Sequence, residues 1–435
     1  MHYCLLVIAV ASTTSFLLPS CRNTSHSAEN KTADPSGLDR SAAKMVELLQ
    51  ESEAVDKIPR SEERTGEIIW ATKRSDSGEI KFDWTLGFFP GSCWYLYEYT
   101  GDEKWKDAAI TFQAQFEDLK YFSDSHDLGF VFHCSFGNAY RIDKSEEYKA
   151  VVVEAGNTLL TRFNKKVGCI QSWNVDKGWQ SQRDWKFPVI IDNMMNLEML
   201  FELSSLTGDP KYREVAISHA DVTLANHFRE DNSSYHVVDY DPESGKVRKK
   251  NTAQGYSHES AWARGQAWGL YGFVVCYRYT KDSKYLRQAE EIADFIQNHA
   301  NLPADGIPYW DFNAPNIPNE PRDASAAAIT ASALVELNNY TNNRYGEFLD
   351  TILQSLKSDD YSVAMGGKTK FILDHSVGSI PHGAEIDKPL VYADYYYLEA
   401  LIRLSKGQDT DYQAFNHLVH EKQATTSHSF KEINP

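Results

Sequence analysis

Positive charge is scarce: 44 Lys and Arg stand against 61 Asp and Glu in 435 residues, a formal net charge of −17. A protein that grips nucleic acid or an anionic surface with its whole exterior shows the opposite balance. An anionic ligand would have to be met by a local cluster of donors. Cysteine is also scarce. Apart from Cys4 and Cys21 near the N-terminus, Cys93, Cys134, Cys169 and Cys276 lie 41, 35 and 107 residues apart. That fits neither a zinc pattern nor a disulfide framework, so buried thiols are expected. No GxxxxGK[ST], no GxGxxG after a strand and no HExxH occurs, which removes support for a nucleotide or zincin site. Gly (24) and Pro (15) are few for the length, while Trp (10) and Tyr (24) are many. The balance suits a helical scaffold with an aromatic-lined cleft, and 42% hydrophobic residues provide a globular core.

The apolar run Leu5–Ala11 is too short to span a bilayer, which needs about 20 residues. Small residues follow it, as in an export signal. Leu18-Pro19-Ser20-Cys21 resembles a bacterial lipobox, although only His2 could add positive charge ahead of the run. The expectation is a lipoprotein-type signal peptide over 1–20 with lipidation at Cys21, and a periplasmic or outer-membrane location. A polar tether over 21–37, a catalytic domain over 38–420 and a polar tail over 421–435 complete the division.

One turn pattern recurs along the chain. Thr100-Gly101-Asp102-Glu103-Lys104-Trp105, Thr207-Gly208-Asp209-Pro210-Lys211-Tyr212 and Thr280-Lys281-Asp282-Ser283-Lys284-Tyr285 are its clearest copies. Weaker ones reach Tyr148, Tyr345 and Tyr412. Gly suits the end of one helix, and Asp or Ser caps the next. Apolar residues at spacings of three and four flank the turns. Each unit is a helical hairpin that cannot bury its own apolar face, so repeats must stack, and six can close a ring. The predicted fold is an all-α (α/α)6 toroid whose site lies in the long connections between 148 and 285.

The chemistry-bearing residues, in these connections and in the earlier loops, have two readings each. Trp84, in an aromatic- and glycine-rich stretch, is a packed loop residue or a stacking wall for a sugar. Asp127, after His126 and before Leu-Gly-Phe-Val-Phe, is a cap or a catalytic carboxylate. Asp192, between Phe187-Pro188-Val189-Ile190-Ile191 and Asn193-Met194-Met195-Asn196, is a helix cap or a buried acid of raised pKa, fit to donate a proton near neutrality. In Trp262-Ala263-Arg264-Gly265-Gln266-Ala267-Trp268-Gly269, Arg264 and Trp268 share one helical face beside Trp262. That face suits a sugar carboxylate; the small residues alternatively permit tight helix packing. His236 lies in a strand-like stretch where a lone histidine is usually structural.

Taken together, Trp84-Thr85-x-Gly87-Phe-x-Pro90-Gly91, His126-Asp127-x-Gly129-Phe130, Asp192-Asn193-x-Met195-Asn196-Leu197, the Trp262–Gly269 segment and Val391-Tyr392-Ala393-Asp394-Tyr395-Tyr396 resemble glycoside hydrolase family 88, the unsaturated glucuronyl hydrolases. The resemblance implies an (α/α)6 barrel that removes a 4,5-unsaturated uronic acid from the non-reducing end of lyase-made oligosaccharides, without metal or organic cofactor. It implies Asp192 as acid/base, Asp127 as the second essential carboxylate, and Trp84, His126, Trp173, His236, Gln254, Arg264 and Trp268 as pocket residues, to which Trp262 is added as a substrate-binding candidate. Ser376 and Ser379 match a Ser-x-x-Ser-x-Lys segment that relatives acting on sulfated glycosaminoglycans use near the second sugar, with Pro381 in place of the lysine. Chondroitin, hyaluronan or heparin fragments are the leading substrates. The alternatives are unsaturated rhamnogalacturonyl hydrolysis of pectin fragments and a non-catalytic glycan-binding lipoprotein.

Overall fold

The computed structural model describes residues 35–73, 78, 80 and 82–406. The signal-peptide reading and Cys21 lie outside these residues, as do the turn near Tyr412 and the C-terminal tail. Twelve helices are named here in chain order: α1 (Pro35–Val55), α2 (Phe88–Thr100), α3 (Glu103–Ala114), α4 (Asn138–Asp143), α5 (Glu146–Leu160), α6 (Asn196–Thr207), α7 (Pro210–Asn226), α8 (Ala263–Thr280), α9 (Ser283–Asn298), α10 (Ala324–Tyr340), α11 (Gly346–Lys357) and α12 (Val391–Lys406).

The repeated turn works as its residues suggest. Gly101, Lys144, Gly208 and Lys281 end their helices in the left-handed conformation. Asp102, Ser145, Asp209 and Asp282 then accept the N–H of the residue two further on, which satisfies an otherwise orphaned donor of the new helix. The aromatic that follows stitches neighbouring repeats. Tyr212 on α7 donates to Asn157 on α5 (2.8 Å), Tyr285 on α9 to Asp221 on α7 (2.6 Å), and Tyr345, just ahead of α11, to Asp294 on α9 (3.1 Å).

Helix α8 is buried without a break from Ala263 to Cys276, whereas α9 buries one stripe: Tyr285, Gln288, Ala289, Ile292, Ala293 and Ile296. All-round burial marks an inner helix and a stripe marks an outer one. The inner ring runs α2, the segment Gly129–Gly137, α6, α8, α10 and α12, which returns to α2. Gly129–Gly137 is a wide π-helical turn, a form concentrated at functional sites. In the sixth pair α12 packs against α1, the first of the described helices. That helix begins at Pro35, inside the stretch expected to be tether up to residue 37.

Small sheets occupy the connections on the site's side. Pro188–Ile190, Val237–Tyr240 and Val247–Asn251 form an antiparallel three-stranded sheet. Ser376–Ser379 pairs with Ala384–Lys388 as a hairpin. This hairpin carries Ser376 and Ser379, the two serines singled out in the sequence.

Candidate active site

Asp192 follows the strand Pro188–Ile190 and sits in a single 3-10 turn, Ile191–Met195, ahead of α6. It caps neither element: no side-chain cap bond exists at either start. Its neighbours do the structural work. Asn193 donates to the Ile170 carbonyl (2.8 Å), Asn196 donates to Asn193 Oδ1 (2.7 Å), and Asn196 Oδ1 accepts the N–H of Gly129 (2.8 Å). These bonds lock the Asp192 turn to the segment that carries Asp127. Gly129 has to be glycine, since a Cβ there would lie 2.5 Å from Asn196 Oδ1. Helix α8 closes on the same turn through Gly272, where a Cβ would meet Met194 Cβ at 2.5 Å. Glycine at these two positions thus serves tight packing around the Asp192 turn.

Asp192 is only 9% exposed, and its Oδ2 has no hydrogen-bond partner. Burial pushes its pKa up; Arg264 opposes this, the charge of Asp127 reinforces it, and the result is about 7. Asp394 is raised to about the same value by burial. Its two oxygens, however, accept the N–H groups of Ile372 and Leu373, both at 2.9 Å. The unpartnered oxygen, not the raised pKa, distinguishes Asp192.

His236 faces that oxygen, with Nε2 3.6 Å from Asp192 Oδ2. Its Nδ1 accepts the backbone N–H groups of Ala253 (3.0 Å) and Gln254 (3.2 Å), so the proton of the neutral ring is on Nε2 and points to Asp192. Burial keeps the ring neutral. The Trp268 indole N–H lies near enough to favour the Asp192 carboxylate, yet forms no bond of ordinary geometry.

Asp127 is 18% exposed, accepts Ser125 Oγ–H at 2.9 Å and has His126 Nε2 3.2 Å away. It is not a helix cap. Burial also holds His126 neutral, despite Asp127. Arg162 braces this corner through the carbonyls of Ser123 (2.5 Å), Gln171 (2.8 Å) and Ser172 (3.3 Å).

The remaining predicted residues fall into one continuous lining. Trp262 lies 4.7 Å from His236 and Trp173 lies 5.9 Å from it, ring centre to ring centre. Trp268 packs on Phe130 (5.1 Å), and Phe130 on Trp84 (5.2 Å). Trp84 is therefore a packing residue of this row of rings. Gln254 reaches the Gly378 carbonyl at 3.4 Å.

Two expectations change. Arg264 lies over Trp262 (4.4 Å), but its terminal nitrogens are committed to the Val377 carbonyl, the Gly378 carbonyl (2.7 Å) and Asp323 (3.3 Å). It pins the Ser376–Ser379 hairpin and lends its charge to Asp192, so direct capture of a sugar carboxylate is not its role in this arrangement. Ser379 shares a 2.7 Å hydrogen bond with His382, while Ser376 Oγ is buried and unpartnered. The sequence reading missed Tyr392, quoted only as part of a motif. Its ring lies 4.8 Å from Trp84 and 5.4 Å from the Arg264 guanidinium, and its buried hydroxyl has no partner.

Buried polar groups in folded proteins are almost always hydrogen-bonded. Here Asp192, His126, His236, Trp262, Trp268, Ser376 and Tyr392 each leave one or more polar atoms without a partner on one lining. Such a lining is built for a polar ligand. A ring of helices that holds a protonatable acid among indoles and unpaired donors is consistent with a carbohydrate-active hydrolase. The family model for Glycosyl Hydrolase Family 88 matches residues 60–399. An unsaturated glucuronyl hydrolase of Formosa agariphila is 50% identical over 323 residues, 74% of this chain and 80% of its own. One from Bacillus sp. GL1 is 36% identical over 334 residues, 75% and 87% of the two chains. A solved unsaturated glucuronyl hydrolase specific for heparin superposes with a TM-score of 0.79 at 45% identity, covering 87% of this chain and 100% of that one. The chain belongs to glycosyl hydrolase family 88.

Proposed function

We propose that this chain removes a 4,5-unsaturated uronic acid from the non-reducing end of glycosaminoglycan oligosaccharides by hydrating the ring double bond. Asp192 is the acid. Protonated near neutrality, it delivers its proton to C4 of the enol ether, and the positive charge at C5 is shared with the ring oxygen. Water adds to C5 and returns a proton to the Asp192 carboxylate. The hemiketal opens by breaking the bond from C5 to the ring oxygen, leaving a ketone at C5 and a hemiacetal at C1 that expels the next sugar. Asp127 holds the uronate hydroxyls and helps keep Asp192 protonated. His236 offers its Nε2–H to the carboxylate form of Asp192 between the two proton transfers.

The observation that carries this reading is the buried, unpartnered Asp192 oxygen facing His236. A non-catalytic glycan binder has no need to maintain such an acid. The names of the relatives support the substrate class. Loss of the unsaturated-uronate absorbance on adding an unsaturated chondroitin or heparin disaccharide tests the activity. In heavy-oxygen water the label should enter the keto product at C5; label only at C1 of a uronate that keeps its double bond would mean ordinary glycosidic cleavage. Export with a lipid anchor at Cys21 is a separate proposal, supported by the Leu5–Ala11 run and Leu18-Pro19-Ser20-Cys21. Labelled fatty acid should be incorporated by the wild type and not by Cys21→Ser.

A further inference from the structure

Trp173, Trp179 and Trp185 form one aromatic panel. Trp173 stacks on Trp185 (5.6 Å, 24°), and Trp179 meets them edge-on at 5.1 and 5.9 Å. The inner edge of the panel is Trp173 against His236, beside the acid. Its outer edge carries Arg183, with the guanidinium carbon 5.4 Å from the Trp179 ring and 5.7 Å from the Trp185 ring. Across Trp179 stands His382, 5.0 Å away, tied to Ser379.

Among the described residues the Arg183 guanidinium has neither an ion pair nor a hydrogen bond. That is unusual in a chain with so many carboxylates. Arg60, Arg141, Arg248, Arg278, Arg322 and Arg344 each hold one or more acids. Even the adjacent Asp184 is taken by Arg248 and Lys249. A guanidinium held on indole faces keeps its planar fork of donors for a ligand, and that fork matches a tetrahedral oxyanion. The panel leads outward from the His236–Asp192 pair, and a sugar attached to a uronate held at Asp192 would extend along it.

We propose that Arg183, with His382 across Trp179, reads a sulfate group on the sugar attached to the departing uronate. This rests on the proposed hydration activity and adds a specificity determinant on a wall separate from the Asp127–Asp192 pair. The test compares kcat/KM on unsulfated unsaturated disaccharides and on those sulfated at single positions, for the wild type, Arg183→Gln and Arg183→Lys. Arg183→Gln should lower the sulfated-to-unsulfated ratio at least fivefold, through KM, for one sulfate position or more. Arg183→Lys, which keeps the charge but loses the fork, should fall between. Added salt should lower the ratio in the wild type and leave it flat in Arg183→Gln. A ratio unchanged at every sulfate position, or an equal loss on sulfated and unsulfated substrates, overturns the sulfate-reading role alone. A wild type inert toward every disaccharide overturns the hydration activity and this role together.

Discussion

Two buried polar clusters share this toroid and differ in one respect. In the first, α6, α8, α10 and α12 contribute Glu198, Arg278, Glu336, Glu399 and Arg403. Every carboxylate oxygen of the three glutamates has a donor: Arg278 and Tyr271 for Glu198; Arg278 and Tyr340 for Glu336; Tyr95, Arg403 and Ser332 for Glu399. The second cluster surrounds Asp192 and leaves its donors and acceptors open. Burial pushes both Glu198 and Asp192 up. Arg278, His133 and Arg403 outweigh it and hold Glu198 low, while Arg264 alone does not do so for Asp192, which stays near 7. Closed networks stabilise a fold, and open ones keep binding capacity in reserve.

The sharpest way to break this comparison is to neutralise one acid of each cluster. Asp192→Asn should cost about 2–4 orders of magnitude in kcat while circular dichroism and melting show an intact fold. Near-wild-type turnover would remove Asp192 from the acid role. Glu198→Ala should act the other way round. It removes a carboxylate partner of Arg278 and strips Tyr271 of an acceptor, at about 3–5 kcal/mol of stability, measured by denaturant unfolding. Should Glu198→Ala melt like the wild type, the closed cluster would not be a structural element.

The same contrast shows what the sequence made legible. The hairpin repeat was readable because Gly101-Asp102, Gly208-Asp209 and Lys281-Asp282 carry local cap chemistry that needs no tertiary context. Asp192 and Asp127 were readable as alternatives, cap or acid, and only the three-dimensional packing decides between them. Arg264 was read by its charge, but its partners at Val377 and Gly378 are more than 110 residues away. No local pattern announces such a contact. The closed cluster went unread for a similar reason: one charged residue on each of several apolar helices signals burial only when the ring is assembled. Tyr392 was hidden among the tyrosines of α12, where a wall residue and a core residue look alike.

A smaller effect separates function from stability at one residue. A carboxyl group whose pKa rises from 3.8 unfolded to about 7 folded binds its proton more tightly in the native state. Stability is therefore lost as pH climbs from about 4 to 7. Asp192→Asn removes that penalty. The variant should be more stable than the wild type by on the order of 2–4 kcal/mol at pH 8, and the gap should close toward pH 4. Denaturant unfolding at the two pH values measures it. An equal difference at both would mean that the native acid is not perturbed.

The finest distinction concerns which neighbours set the Asp192 pKa. Proton donation requires the protonated form, so kcat/KM should fall above a limb near pH 7. The charge of Asp127 raises that pKa and the charge of Arg264 lowers it. Asp127→Asn should therefore move the alkaline limb of its residual activity to lower pH. Arg264→Gln should move the limb to higher pH, along with whatever loosening of the Ser376–Ser379 hairpin it causes. Opposite displacements on a common pH–rate profile would tie both charges to one titrating acid. Displacement in the same direction would mean that the limb belongs to a different group, and the open cluster would then have its acid elsewhere.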